Sequence, residues 1–261
     1  MNNQRPLQGR IAVVTGASRQ KGIGAAICRA LAQAGADIFF TYWSPYDAAM
    51  PWGEDTDFPS QLTAELTSLG VRCESMAIDL SKPDSPKILL RQVQESLGPP
   101  MILVNNATHS TNNSYRDLDA AALDAHYAVN LRAMALLSVE FAKGFQNSEG
   151  GRIINLTSGQ SLGPMPNELA YVATKGAVEA FTQTLAVEVA HLGITVNAVN
   201  PGPTDTGWMT EDLKKSLLPQ FPFGRIGQPE DAARLVAFLA SDEACWITGQ
   251  IIHSEGGFLR G

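Results

Sequence analysis

The stretch Ile11-Ala12-Val13-Val14-Thr15-Gly16-Ala17-Ser18-Arg19-Gln20-Lys21-Gly22-Ile23-Gly24 decides the fold. Its opening, residues 11–15, is a short apolar run of the kind that forms a buried strand. The run breaks at Gly16, which permits a tight turn. Gly22 and Gly24 then remove side chains where the chain enters an amphipathic segment. A strand, a glycine-rich turn and a helix in that order begin a βαβ unit. The first N–H groups of such a helix have no partner within it, so they attract an anion such as a pyrophosphate. Glycine-rich turns are common in themselves. The position between a buried strand and an amphipathic helix is what makes this one a nucleotide loop.

Outward from this stretch one unit recurs: an amphipathic segment, a glycine, then a short β-rich apolar run. Residues 31–35 lead into 38–42, 66–70 into 71–78, 93–98 into 101–105, and 187–193 into 194–199. Gly35, Gly70, Gly98 and Gly193 each suit the left-handed position that closes a helix. Helices alternating with buried strands require right-handed crossovers and a parallel sheet covered on both faces. Further strands are expected at 152–157, after a long helical stretch around 121–145, and at 250–253. A last helix opens at Pro229, where proline suits the first turn, and runs to about Ala240. No stretch reads as a linker. The expectation is one α/β domain over residues 1–261, a doubly wound parallel sheet of Rossmann type with helices on both faces. The longest irregular stretch, 43–59, carries three prolines and two tryptophans. It reads as a flap near the cofactor or the site, with disorder as the alternative.

The 261 residues suffice to bury a large core. Hydrophobic residues at 44% and charged residues at 17% exclude a disordered chain. A net charge of −7 argues against a nucleic-acid partner, which requires a basic surface. It also means that an anionic cofactor must be held by local groups. No apolar run approaches a membrane span and the polar residues 1–9 carry no export signal, so no membrane association is expected. Cys28, Cys73 and Cys245 are odd in number, widely separated and without metal-ligand spacing. They read as reduced residues of a cytoplasmic protein with no metal site. A catalytic cysteine is the alternative, and none lies beside a recognisable base.

The choice between NAD and NADP turns on the end of the second strand. An acid there, about 20 residues beyond the loop, would accept hydrogen bonds from the ribose 2′-hydroxyl. The chain instead reads Thr41-Tyr42-Trp43-Ser44, with Asp37 at the opposite end of the strand and Asp47 beyond it. Arg19 sits in the glycine-rich turn with Lys21 close by, and a guanidinium matches a phosphate by paired hydrogen bonds. The expected cofactor is NADP(H). The alternative for Arg19 is a solvated loop residue.

Tyr171 and Lys175 stand four residues apart at the opening of an amphipathic helix that runs to about His191. That spacing puts both side chains on one helical face. Ser158 falls just past the carboxyl end of a strand, the edge of a parallel sheet where ligands collect. Asn130 lies inside the long helical stretch, where asparagine has no propensity advantage, and reads as a kink or as a buried polar bridge. Singly these residues are uninformative. The order Asn130, Ser158, Tyr171, Lys175 behind a glycine-rich first turn is hard to obtain by accident.

On these residues the chain resembles the short-chain dehydrogenase/reductase family over almost its whole length. The matching segments are Thr15–Gly24, Asn105-Asn106-Ala107, Asn130, Ser158, Tyr171 with Lys175, and Pro201-Gly202. The resemblance implies that Tyr171 is the acid/base and that Lys175 binds the nicotinamide ribose and tunes the tyrosine. It implies that Ser158 holds the reacting oxygen and that Asn130 organises a water-linked proton path. Implied cofactor contacts are Gly16, Ser18, Arg19, Gly22, Ile23, Gly24, Asn106, Ala107, Pro201, Gly202 and Thr204. Asp79, with Leu80, is implied beside the adenine, and Thr206 near the carboxamide. Within the family, the segments around 195–207, 223–227 and 247–257 look most like 3-oxoacyl-(acyl carrier protein) reductases. A homotetramer is implied by the resemblance alone. Two departures stand out: the first turn holds two extra residues, and Thr108 replaces the glycine usual after Ala107. Neither is expected to touch the catalytic residues.

The chemistry follows from that constellation. As hydride from NADPH reaches a carbonyl carbon, the oxygen gains negative charge, to which Ser158 donates a hydrogen bond and Tyr171 a proton. A free phenol has a pKa of about 10, whereas an acid/base working near neutrality wants about 7. A Tyr171 acidified by the Lys175 ammonium is therefore expected. Substrate recognition is expected from residues 108–115, 159–169 and 208–225, the last as a lid. His109 is an extra proton carrier or a structural residue. Trp208 and Phe221 line a pocket or simply pack. Arg225 meets the phosphate arm of a carrier-bound substrate or pairs with an acid such as Glu230. The leading reading is an NADPH-dependent reductase of a 3-oxoacyl thioester or similar ketone, small or carrier-bound. The alternatives are a dehydrogenase of a polyol, steroid or other secondary alcohol, and a non-catalytic NADPH-binding regulator.

Overall fold

The structure is a computed structural model that describes residues 5–146 and 149–259. Among these residues seven strands form one parallel sheet: β1 (Ile11–Val14), β2 (Asp37–Tyr42), β3 (Cys73–Ala77), β4 (Ile102–Asn105), β5 (Gly151–Leu156), β6 (Ile194–Asn200) and β7 (Ile251–His253). Their order is β3-β2-β1-β4-β5-β6-β7. The helices are α1 (Ile23–Gln33), α2 (Ser44–Ala48), α3 (Phe58–Ser68), α4 (Ser85–Ser96), α5 (Ala120–His126), α6 (Met134–Gly144), α7 (Leu169–Val189), α8 (Glu211–Leu217) and α9 (Pro229–Ala240).

The central strands are apolar on both sides because both sides are covered. Ala12 and Val14 of β1, Ile38 and Phe40 of β2, and Ile102 and Val104 of β4 pack with Ile27 and Leu31 of α1, Leu62 of α3 and Val236 of α9. The alternate residues Ile11, Val13, Phe39 and Leu103 pack on the other face with Leu89 of α4, Leu137 and Phe141 of α6, and Leu185 of α7. A period of two along each strand thus feeds two cores. The four glycines that precede strands do adopt left-handed backbone, with φ of +101° at Gly35, +82° at Gly70, +112° at Gly98 and +70° at Gly193.

The long helical stretch is interrupted. Between α5 and α6, residues Tyr127–Ala133 form a widened π-helical turn that contains Asn130. Such turns inside helices are rare and concentrate at functional sites. Residues 43–59 are ordered around α2, where Tyr46 exchanges hydrogen bonds with the backbone of Ser110.

Strand order reverses between β1 and β4, which opens a crevice at their carboxyl ends. Thr15 Oγ1 accepts from the N–H of Asn106 and of Ala107, both at 3.0 Å. In return Asn106 Nδ2 donates to Thr15 O at 2.9 Å and to Gly16 O at 2.8 Å. This latch leaves no room for side chains beside it. A Cβ on Gly24 would stand 2.4 Å from Gly16 O and 2.7 Å from Asn106 Nδ2. Gly24→Ala should therefore lower the urea midpoint, at a cost of about 1–3 kcal/mol from overpacking. An unchanged midpoint would contradict the close approach.

Candidate active site

One cavity of about 1440 Å³ runs across the carboxyl ends of the strands. Gly16, Ser18, Arg19, Gly22, Ile23 and Gly24 border it after β1, and Asp79 and Leu80 after β3. Asn106 and Ala107 border it after β4, Ser158 after β5, and Pro201, Gly202, Thr204 and Thr206 after β6, with Tyr171 on α7. Asn130 and Lys175 lie behind its wall, both buried. The residues selected in the sequence are thus brought to one place by the sheet's common polarity.

The glycine-rich turn fits a dinucleotide. α1 begins with no side-chain cap and no acid in its first turn, so its amino end is left to a ligand. The two extra residues are taken up by a tight turn in which Gly22 N donates to Arg19 O at 2.9 Å. Arg19 is not a solvated loop residue. Its Nη1 donates to Thr206 O at 3.1 Å, its Nε lies 3.3 Å from Asp47 Oδ1, and its guanidinium sits 4.3 Å from the Trp52 ring centroid. Burial pulls its pKa down, against the attraction of Asp47. Residues 43–59 are therefore a flap pinned to the cofactor turn. Asp79 is drawn below the usual carboxylate range despite some burial, by hydrogen bonds from Ser81 and by Lys82. The Thr204 hydroxyl turns back to Pro201 O and Gly202 O, so that residue borders the cavity with its side chain occupied.

Tyr171 opens α7 near enough to Ser158 for that hydroxyl to pull on its proton, while Ser158 Oγ itself donates to Met165 Sδ at 3.8 Å. Lys175 follows one turn later, its Nζ donating to Leu156 O at 2.7 Å and standing 5.5 Å from the Tyr171 ring centroid. The expected acidification of the phenol is overturned. Burial pushes Tyr171 up to about 12, and the neighbouring Glu168 and Tyr46 add to the rise, against the pull of Ser158. Lys175 is desolvated too, and burial brings it down to about 8, which leaves it charged at neutral pH.

Asn130 is both kink and bridge. Its Oδ1 accepts from His109 N at 2.7 Å and from Thr108 Oγ1 at 3.1 Å. Its Nδ2 donates to His109 O at 2.9 Å and to Thr174 Oγ1 at 3.1 Å. Thr108 therefore does touch a catalytic candidate, contrary to expectation, because its hydroxyl is the fourth partner of that carboxamide. His109 packs between a tilted Tyr46 ring and an edge-on His126. Burial and then His126 pull its pKa down.

At the outer end, Trp208 borders the cavity while Phe221 packs against Phe258 instead. Arg225 is bound bidentately, through 2.6 Å and 2.8 Å hydrogen bonds, by Asp231 rather than Glu230. Capping of α9 places Asp231 there, since its carboxylate also accepts from Gln228 N. Sequence reasoning missed Tyr46 and Glu168. The second had a visible signal, lying three residues before Tyr171 at the start of the same helix.

Lys175 costs stability. Its folded pKa of about 8 lies below the ordinary lysine value of 10.5, so the unfolded chain binds the extra proton between those values. The penalty is full below pH 8, about 3 kcal/mol, and fades as the pH rises towards 10.5. Lys175→Met should therefore unfold later than the parent protein at pH 7, with a gain that shrinks above pH 8. Denaturant midpoints across that range check this, and a variant less stable at pH 7 would refute it.

Comparison with known proteins agrees with this geometry. A family model described as enoyl-(acyl carrier protein) reductase matches residues 16–259. The chain is 57% identical to the uncharacterized oxidoreductase YjdA of Bacillus subtilis, across 97% of this chain and 98% of that protein. It is 38% identical to the 3-oxoacyl-(acyl-carrier-protein) reductase FabG of Pseudomonas aeruginosa, across 96% and 98%. A solved short-chain dehydrogenase of Burkholderia cenocepacia, in complex with NADP, superposes with a TM-score of 0.86 at 34% identity, covering 97% of this chain and 98% of that one. The protein belongs to the short-chain dehydrogenase/reductase family of oxidoreductases.

Proposed function

We propose that the protein is an NADPH-dependent reductase that converts a ketone, a 3-oxoacyl thioester or a similar compound, to a secondary alcohol. The observation that carries this reading is that Ser158 and Tyr171 border the same cavity as the glycine-rich cradle, with Ser158 near enough to act on the phenol. Arg19, beside the cradle, supports the choice of NADPH over NADH, as does the lack of an acid at the end of β2. So does the relative solved with NADP.

When bound, the cofactor supplies hydride to the carbonyl carbon. Ser158 donates a hydrogen bond to the oxygen as its charge grows, and the Tyr171 hydroxyl gives up its proton to it. A phenol held near 12 keeps that proton at neutral pH and releases it only to a stronger base, which an alkoxide is. Lys175, fixed by Leu156 O behind Tyr171, brings its positive charge to the phenol as it ionises. Asn130 holds the Thr108–His109 backbone against Thr174, next to Lys175, and so positions both sides of the site. With Arg225 tied to Asp231, a carrier's phosphate arm finds no free cation at that position.

Tyr171→Phe should lower turnover of a ketone panel by at least about 100-fold while leaving the denaturation midpoint nearly unchanged. Retained turnover would sink the assignment of the proton donor. Arg19→Ala should raise the KM for NADPH by about 10- to 100-fold and that for NADH far less, as loss of a charge-assisted phosphate contact requires. Equal effects on both cofactors, or a parent enzyme that prefers NADH, would overturn the cofactor reading.

A further inference from the structure

Glu168 occupies a position that the reaction leaves unused. Its residue borders the reaction cavity three positions before Tyr171 and is half-buried there. Its place is built rather than incidental. Asn113, itself buried, pairs with Glu168 in an isolated β-bridge, takes the N–H of Ala170 on its Oδ1 at 2.9 Å and donates its own N–H to Asn167 O at 2.7 Å. Asn167, immediately before, is held at φ +68°, the one non-glycine residue with left-handed backbone among the described residues. A strained turn and a buried asparagine thus set the direction in which the chain enters α7.

The carboxylate so placed has no hydrogen-bond donor and no cation among the described residues. Burial alone perturbs it, upward, and it in turn presses on the Tyr171 phenol. The cavity surface nearby in sequence is apolar, from Pro164 and Met165, and α8 contributes Leu213 and Leu217. Arg19, the cation that borders the cavity, is engaged by Asp47. A half-buried acceptor on an apolar wall gains from any donor that a ligand brings and repels any ligand of like charge.

We propose that Glu168 selects the substrate, favouring a carbonyl compound that carries a hydroxyl donor near the reacting carbon and rejecting one that carries a carboxylate there. This rests on the reading of the cavity as that of a carbonyl reductase. It narrows the substrate class to hydroxylated, uncharged ketones or aldehydes. Glu168 is a specificity residue in this account, since it takes no part in the proton transfer.

Three compounds of equal carbon number test it: 1-hydroxybutan-2-one, butan-2-one and 2-oxobutanoate. With NADPH the parent enzyme should show kcat/KM falling in that order, with at least about tenfold between first and last. Glu168→Gln keeps the shape, removes the charge and should bring 2-oxobutanoate to within about threefold of butan-2-one. Glu168→Leu should lose the hydroxyketone preference, the ratio of kcat/KM for 1-hydroxybutan-2-one over butan-2-one falling about tenfold. A parent enzyme that prefers 2-oxobutanoate, or ratios that neither substitution moves, would overturn the proposal. Should none of the three be reduced, the reductase reading fails on this panel. Saturation-transfer NMR of the same three compounds with the parent and Glu168→Gln proteins then decides: the same order of binding, abolished by the substitution, upholds Glu168, and an unchanged order dismisses it.

Discussion

The site depends on the latch between the first and fourth strands. Thr15 and Asn106 exchange hydrogen bonds across the point where the strand order reverses, side chain to backbone in both directions. Parallel strands on either side of such a point diverge at their carboxyl ends, and the latch keeps the divergence from becoming a gap. Gly24 is a glycine because Gly16 O and Asn106 Nδ2 of the latch occupy the volume its side chain would need, and Gly16 because Ala107 stands against it and its backbone is left-handed.

A second line of polar contacts crosses the sheet from the same region. Asn105 Nδ2 donates to Ser138 Oγ and to Asn155 Oδ1, and Asn155 Nδ2 donates to Thr182 Oγ1 on α7. These groups are buried and, apart from Asn105 Oδ1, paired, and the pairing ties the central strands to the helix that carries Tyr171 and Lys175. The register of α7 against the sheet is thereby specified by hydrogen bonds as well as by Leu185 and Val189.

Much of this was legible in the sequence because it rests on local rules. A glycine after an amphipathic segment marks a left-handed helix end wherever the chain must turn into a strand, and the final helix spans Pro229–Ala240 as its opening proline suggests. The four catalytic candidates were legible from their order along the chain. What was not legible depends on distant parts of the fold. The phenol's environment is set first by burial that no local pattern reports, and Tyr46 acts on it from the distant flap. Arg225 found Asp231 rather than its neighbour Glu230 because helix capping turns the former toward it. Arg19 looked free for a phosphate, yet the fold brings Asp47 and Trp52 against it from a flap nearly 30 residues away.

The widened turn at Tyr127–Ala133 has a geometric consequence. A regular α-helix advances about 100° per residue, so one residue accommodated as a bulge shifts the angular phase of everything downstream by that amount. The turn therefore acts as a phase adjuster between two neighbours. It lets α5 lie on α7 with the Asn130 carboxamide aimed at Thr174, while α6 presents Leu137 and Phe141 to α4 and the sheet. Excising a single residue there would straighten the helix and force a choice, with either the carboxamide or the apolar stripe rotated towards water.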